Sequence, residues 1–70
     1  MINVKTFSLN GESYYTHDNI TLLNLVEYFA FDSKLLVLEY NNLVCKKQNW
    51  DKIFINDQDK IEVVTIVGGG

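Results

Sequence analysis

Residues 2–16 decide the fold of this chain, and they read INVKTFSLNGESYYT. Two strand-like segments, rich in β-branched and aromatic residues, flank the dipeptide Asn10-Gly11. Asn-Gly is a strong hairpin signal, because both central residues of a type I′ turn need positive φ angles. We therefore predict a β-hairpin whose first strand ends at Leu9 and whose second strand runs over residues 12–16.

An amphipathic helix is predicted directly after the hairpin. Thr21 can act as its N-cap by accepting a backbone N–H with its hydroxyl. Four apolar residues then recur at the i, i+3, i+4 and i+7 positions of one helical face: Leu22, Leu25, Val26 and Phe29. The helix should run from about Leu22 to Ala30 and lay this face on the sheet.

The second half of the chain predicts further strands. Residues 35–38 are wholly apolar and lead into a polar turn at 41–42, as expected of a central strand. Residues 43–45 can add a short edge strand, and the alternating residues 61–67 form a last strand after the polar turn 56–59. The spacing of three large side chains predicts one helical turn over an end of the core: Trp50, Ile53 and Phe54.

This order of elements predicts an α+β fold of the β-grasp type, a mixed sheet with one main helix packed across one face. In that arrangement the last strand lies centrally, beside the first. The C-terminal segment therefore leaves the domain from a paired strand. We predict one β-grasp domain at residues 1–67 and a flexible glycine tail at residues 68–70.

Size and charge disfavour several functional classes. A domain of 70 residues has a thin core and little volume for a deep catalytic pocket, which disfavours an enzyme that acts alone. The net charge is -3, and no basic stripe is present for a nucleic acid. No apolar stretch approaches the roughly 20 residues of a membrane span. The N-terminus lacks the pattern of a secretory signal, so we expect a protein that stays where it is made, without nucleic-acid or membrane partners.

The side chains offer no conventional catalytic constellation. His17 is the only histidine and is interpreted as a turn residue. Cys45 is the only cysteine, which precludes an intrachain disulfide, fits a reducing compartment and suggests a half-buried structural thiol. Asp57 and Asp59 flank a turn without the ligand spacing of a calcium loop. We expect no metal site and no bound cofactor.

The terminal glycines are the exception. Gly68, Gly69 and Gly70 have no side chains and few dihedral restrictions, so a tail of this kind can enter a narrow channel. The α-carboxylate of Gly70 is ionised at neutral pH and can attack the α-phosphorus of ATP. Activation as a mixed anhydride would divide a difficult substitution into two easier ones. A side chain on the last residues would obstruct this approach.

Beyond these patterns, the sequence resembles the ThiS family, the sulfur carriers of thiamine thiazole synthesis. The resemblance extends over nearly the whole chain and rests on residues 9–12, 21–23, 37–41, Trp50 and, most specifically, 57–64 with 67–70. Two positions depart from the family pattern. Gln58 stands where the family commonly has glycine, and Lys46 where it often has proline. Both departures concern the scaffold rather than the tail.

The resemblance implies a carrier protein that is a co-substrate of enzymes and not itself an enzyme. A ThiF-like enzyme would adenylate Gly70 and consume ATP, and sulfur derived from cysteine through a desulfurase would convert it to a thiocarboxylate. A ThiG-like thiazole synthase would accept that sulfur. Gly68 and Gly69 would give access. The free carrier would be a monomer in the cytoplasm of a bacterium, or in the plastid stroma if the chain is organelle-encoded.

Both enzymes need a surface on which to dock the carrier. We predict that apolar residues near the exit of the tail supply it: Ile66, Val67, Leu43 and Phe54.

Three alternatives share the predicted fold. A MoaD-like subunit would supply sulfur to molybdopterin from the same kind of tail. A ubiquitin-like modifier would instead end in an isopeptide bond between Gly70 and a lysine. A plain β-grasp interaction domain would carry an inert tail.

Overall fold

The computed structural model describes residues 3–65, apart from the side chain of Ser33. Five strands and one α-helix make up the fold: β1 (Lys5–Leu9), β2 (Glu12–Thr16), α1 (Leu22–Tyr28), β3 (Leu36–Tyr40), β4 (Leu43–Cys45) and β5 (Lys60–Thr65). The sheet order is β2-β1-β5-β3-β4. β1 and β5 are parallel, whereas the other neighbours are antiparallel. The predicted mixed sheet with a central last strand is therefore confirmed.

Two tight turns have the backbone that their sequences predict. Asn10 and Gly11 have φ angles of 51° and 84°, as a type I′ hairpin turn requires. Asn41 and Asn42 repeat the pattern with 52° and 73°, and they join β3 to β4. Asparagine tolerates the left-handed region better than most residues, which explains its use at both turns.

Helix α1 is closed at both ends by local hydrogen bonds. The Asn24 N–H donates to Thr21 Oγ1 at 3.1 Å, and the Thr21 N–H donates to Asn24 Oδ1 at 2.9 Å, which forms a capping box. At the other end, the Ala30 N–H donates to the Glu27 carbonyl and the Phe31 N–H to the Val26 carbonyl, both at 3.1 Å. This is a Schellman motif. It ends the helix at Tyr28, two residues before the predicted end.

The core lies between α1 and one face of the sheet. Its fully buried large side chains are Trp50, Leu22, Leu38, Ile55 and Ile61. The helix supplies Leu22, Leu25 and Val26, as its periodicity predicts. No helix within residues 3–65 has the length and apolar character needed to cross a membrane.

The helical turn predicted over Trp50, Ile53 and Phe54 is wrong. A short 3-10 helix spans Lys47–Asn49 instead, and Trp50 follows it. Phe54 forms an isolated antiparallel bridge with Thr21, and the Ile53 carbonyl accepts the Leu22 N–H at 3.0 Å. The carbonyls of Trp50 and Ile53 thus accept N–H groups from the start of α1 instead of continuing a helix of their own.

The first residues of β5 are clamped by the two turn asparagines. The Val63 N–H donates to Asn10 Oδ1 at 2.7 Å, and the Asn10 N–H donates to the Ile61 carbonyl at 2.9 Å. On the other side, the Lys60 N–H donates to Asn41 Oδ1 at 2.8 Å. Each asparagine thus fixes a turn and also satisfies a backbone donor of the central strand.

A buried carboxylate organises the turn before β5. Asp59 is 8% exposed, and its Oδ2 accepts hydrogen bonds from the Tyr40 hydroxyl at 2.6 Å and the Asn56 N–H at 2.7 Å. Its Oδ1 accepts from Asn41 Nδ2 at 3.1 Å. Asp59 therefore links the turn to the end of β3, and its burial is compensated by three donors.

Gln58 adopts a left-handed backbone, with φ at 70°, in the turn where glycine is the common family residue. Replacement of Gln58 by glycine should raise the free energy of unfolding by about 0.5–1 kcal/mol, since the relief of left-handed strain exceeds the added chain entropy. Urea denaturation measures this change. Gln48→Gly, in the 3-10 helix, is the matched control and should destabilise the protein. A loss of stability in Gln58→Gly would contradict this account.

Tyr40 makes the stability of the fold depend on pH in the alkaline range. Burial and the hydrogen bond to Asp59 raise the pKa of Tyr40 from 10.0 to about 12. The contribution of Tyr40 to the free energy of unfolding is complete below pH 10 and is lost as the pH rises to about 12. The reason is that the Tyr40 hydroxyl loses its proton at a lower pH in the unfolded chain than in the folded one. Tyr40→Phe should lower the free energy of unfolding by about 1.5–3 kcal/mol at neutral pH.

The stability difference between wild type and Tyr40→Phe should shrink between pH 10 and about 12. Denaturation at several pH values measures it. Tyr28→Phe is the matched control, because the Tyr28 side chain is 82% exposed. A constant difference across this pH range would contradict the role given to the Tyr40 hydroxyl.

Candidate functional site at the end of the central strand

The C-terminal half of β5 extends past the end of β1. The two strands pair at Ser8 with Lys60 and at Leu9 with Ile61, after which β1 turns away. Residues 62–65 continue along β3 as far as the pairing of Leu36 with Thr65. The segment that leads towards the glycines is thus supported by β3 and lies beyond the first hairpin.

The backbone of this segment is directed alternately to its two sides. The Asn41 N–H donates to the Lys60 carbonyl at 2.7 Å, so these two residues form a hydrogen-bonded pair. Every second pair along β3 and β5 is then also hydrogen-bonded, namely Glu39 with Glu62 and Val37 with Val64. Glu62 and Val64 consequently direct their backbone groups towards β3. Thr65 directs its own to the opposite side, past the point where β1 has ended.

The sheet face opposite α1, here called the outer face, carries an apolar stripe near this segment. Val37 lies directly across from Val64, which is 53% exposed. Val44 is 67% exposed on the same face, in register with Glu39. Exposed valines in adjacent strands form a surface suited to a protein partner.

Carboxylates border the apolar stripe. Glu39 lies directly across from Glu62, and like charges in this position repel each other. Lys60 Nζ lies 3.3 Å from Glu62 Oε1, which offsets part of that repulsion. A partner with apolar side chains and neighbouring basic groups would complement this part of the outer face.

The structure gives different outcomes for the predicted docking residues. Ile66, Val67 and the glycines at 68–70 lie outside the described residues. Leu43 and Phe54 are exposed, but they lie near Tyr40: Leu43 pairs with it, and the Phe54 carbonyl is 3.4 Å from the Tyr40 hydroxyl.

Leu43 and Phe54 were expected near the exit of the tail, and that expectation is wrong. Tyr40 pairs with Ile61, four residues before Thr65, so the two sites are separated by roughly 13 Å along the strand. The physical reason is that β3 runs antiparallel to β5. The turn after β3 is therefore carried to the opposite end of the sheet.

The valines of the outer face were not among the residues predicted from the sequence. The alternation in β5 pointed to one of them. Ile61 and Val63 face the core, so Val64 takes a position that faces solvent, as Glu62 does. An apolar residue at a solvent-facing position of a strand is a candidate for contact with a partner protein. The partners of Val64 could not be read from the sequence, because they depend on the register of β3 and β5.

The remaining candidate groups are spread over the surface. His17 contacts the ring of Tyr15 edge-on, with centroids 6.0 Å apart. Burial raises the pKa of the Cys45 thiol, which opposes formation of a reactive thiolate. Within residues 3–65, no three His, Cys, Asp or Glu side chains are grouped so that they could hold a metal ion.

Comparison with known proteins places this geometry in a family. A sequence model of the ThiS family matches residues 4–70. The chain belongs to the ThiS family. The uncharacterized protein ycf40 of Trieres chinensis is 62% identical over 66 residues, which cover 94% of this chain and 90% of that protein. The sulfur carrier protein ThiS of Bacillus subtilis is 30% identical over 63 residues, or 89% and 96% of the two chains.

ThiS-family membership agrees with the fold. The crystal structure of the thiamine biosynthesis protein ThiS from Geobacter metallireducens matches with a TM-score of 0.79 at 19% identity, over 93% of this chain and 99% of that one. The β-grasp prediction is confirmed. A thiazole synthase from Paramagnetospirillum magneticum is 31% identical over 62 residues, which cover 89% of this ThiS-family chain and 19% of that enzyme.

Proposed function

We propose that this chain is a ThiS-like sulfur carrier for the thiazole moiety of thiamine, with the α-carboxylate of Gly70 as the group that carries sulfur. The observation that carries the proposal is the family match, which continues through the glycines to Gly70. The relative in Bacillus subtilis is a sulfur carrier protein, which supports the carrier role. The carrier would be a substrate of other enzymes and not a catalyst.

The chemistry would take place in two steps on the same carbon. A carboxylate oxygen of Gly70 attacks the α-phosphorus of ATP, which forms an acyl adenylate and releases pyrophosphate. A cysteine desulfurase would take sulfur from cysteine as an enzyme persulfide, and a thiol reductant would release it as hydrosulfide while the thiol is oxidised to a disulfide. The hydrosulfide then attacks the acyl carbon, so that a C–S bond forms and AMP leaves with the C–O electron pair. The product is a thiocarboxylate. Activation in this way turns a poor electrophile into a good one.

The chain itself would contribute presentation rather than catalysis. β5 is clamped at its start by Asn10 and Asn41, so the strand is a firm base for the tail. Gly68 and Gly69 would let the terminal carboxylate enter the site of an adenylating enzyme, because they add no side-chain bulk. ATP would be consumed by that enzyme, and the carrier would hold no cofactor of its own.

A thiazole synthase is the proposed acceptor of the sulfur. The similarity between this chain and 19% of a thiazole synthase supports the pairing, since a related sequence occurs within such an enzyme. A second thiazole synthase, from Magnetococcus marinus, is 31% identical over 62 residues. A ThiF-like adenylating enzyme and a desulfurase-derived sulfur source complete the proposed set of partners.

The compartment proposed for this cycle is the plastid stroma, with the bacterial cytoplasm as the alternative. The ycf40 relatives, including that of Porphyra purpurea at 37% identity over 71 residues, favour the plastid. The free carrier is proposed to be a monomer.

The proposed docking surface joins the tail to the outer face. Val64 and Val37 form an apolar pair at the level where β5 approaches the tail, and Ile66 and Val67 follow in sequence. A partner that covers this stripe would hold the carrier while the tail enters its active site. Leu43, at the other end of the sheet, offers a comparison on the same domain.

The carrier chemistry predicts a defined change in mass. Incubation with ATP, a ThiF-like enzyme, a cysteine desulfurase with cysteine, and a thiol reductant should replace one terminal oxygen of the chain by sulfur. Intact-mass spectrometry measures this exchange. A variant that lacks Gly69 and Gly70 is the control and should keep its mass.

Other outcomes would contradict the proposed carrier role. An unchanged mass of the full chain would remove the sulfur chemistry. Isopeptide conjugates on a denaturing gel would identify a protein modifier. A thiocarboxylate that is accepted by a molybdopterin synthase subunit, and not by a thiazole synthase, would select the MoaD-like alternative.

The docking surface predicts that the two ends of the sheet differ in partner binding. Val64→Asp should weaken binding to the adenylating enzyme at least about tenfold, because a charge would be buried against an apolar partner surface. Leu43→Asp is the matched control and should bind with unchanged affinity. Calorimetric titration measures both, and circular dichroism checks folding. Equal losses in the two variants would contradict a docking surface confined to the tail end.

A further inference from the structure

A groove lies between β2 and α1. It has a volume of about 380 Å³, and its lining includes Phe7, Tyr14, Leu25 and Phe29. Tyr14 stacks on Phe7 with centroids 5.9 Å apart and meets Phe29 edge-on at 5.4 Å. These side chains form an apolar floor on the α1 side of the sheet, along the free edge of β2.

Apart from Glu12 at its start, β2 lacks the features by which edge strands normally resist added strands. Its sequence, ESYYT, contains neither lysine nor proline. All five residues pair with β1 in an unbroken register, so no bulge twists the strand away. The other edge strand, β4, has only three residues and is followed by Lys46 and Lys47. The two edges of the sheet are therefore protected to very different degrees.

The hairpin register fixes which backbone groups of β2 face outwards. In a two-residue type I′ hairpin, the residues that flank the turn form a hydrogen-bonded pair, here Leu9 and Glu12. The alternation then makes Ser13 and Tyr15 members of non-hydrogen-bonded pairs. Their N–H and carbonyl groups point to the free edge of the sheet, beside the groove. An added strand could bond to these four groups without disturbing β1.

Charge distinguishes between possible occupants of this edge. Glu12 begins β2, and Asp18 lines the groove just past the other end of the strand. A second copy of the chain would bring its own net charge of -3 to this acidic border. An extended peptide with apolar residues in its middle and a basic residue at each end complements both the floor and the border.

We propose that β2 and the groove beside it form a second binding site, which takes an extended apolar peptide with basic ends from a partner protein. The peptide adds as a sixth strand along β2. Its backbone bonds to Ser13 and Tyr15, and alternate side chains enter the groove over Tyr14 and Phe29. The residues that line this site belong to the first 29 residues of the chain, and none of them is in β5. Its occupation should therefore not depend on the sulfur chemistry.

The test uses the full chain and the hexapeptide acetyl-Lys-Val-Ile-Val-Ile-Lys-amide, whose length roughly matches β2. In ¹⁵N–¹H spectra, the peptide should shift the amide signals of Ser13 and Tyr15 and slow their hydrogen exchange. Ser13→Pro should weaken binding about tenfold, because it removes one outward donor and places a ring at the edge. The ladder to β1 does not use that donor, so the variant should fold.

Ser13→Ala is the matched control and should bind the peptide with unchanged affinity, since it keeps the backbone donor. A peptide with glutamates in place of the lysines should bind at least about tenfold more weakly at low salt. Absence of binding at millimolar peptide would overturn the proposal. So would shifts confined to Val37 and Val64, or sedimentation that shows the chain pairing with itself through β2.

Discussion

The fold depends on how the start of β5 is held between two hairpins. Asp59, buried at 8% exposure, accepts hydrogen bonds from Tyr40, Asn56 and Asn41, and so joins the last turn to the end of β3. Asn10 supplies the matching contact from the first hairpin, through a 2.7 Å bond from the Val63 N–H. β5 is thereby fixed between β1 and β3, and the core side chains of the sheet are brought into line beneath α1.

This clamp divides the central strand into two parts with different tasks. The first part is surrounded by polar contacts that satisfy its backbone, whereas the last residues run past β1 along β3. The outer face shows its apolar pair, Val37 and Val64, beside that second part. In the proposed function, this combination would give the tail a fixed base beside an apolar docking surface. In the proposed cycle, the same short tail would visit two enzymes.

Local signals in the sequence predicted much of the fold because short-range contacts dominate those elements. The Asn10-Gly11 turn requires positive φ angles, and Thr21 caps a helix that its own periodicity defines, so both are encoded within a few residues. The same reasoning gave a wrong prediction for the segment with Trp50 and Phe54. The helical spacing of its large side chains predicted a helical turn, but its backbone forms hydrogen bonds with the start of α1. Such a choice depends on tertiary contacts that no local pattern records.

The sequence by itself determined the hairpins and the helix face, because each rests on backbone conformation or on side-chain period. The order of these elements then predicted the central place of the last strand, through the β-grasp arrangement. Only the tertiary structure decided which surfaces these elements share. The antiparallel course of β3 carried Leu43 away from the end of β5 and brought Val37 opposite Val64. The register of the first hairpin left Ser13 and Tyr15 on the free edge of β2, beside an aromatic groove. Register and strand direction are long-range properties, so they become visible only when the whole sheet is assembled.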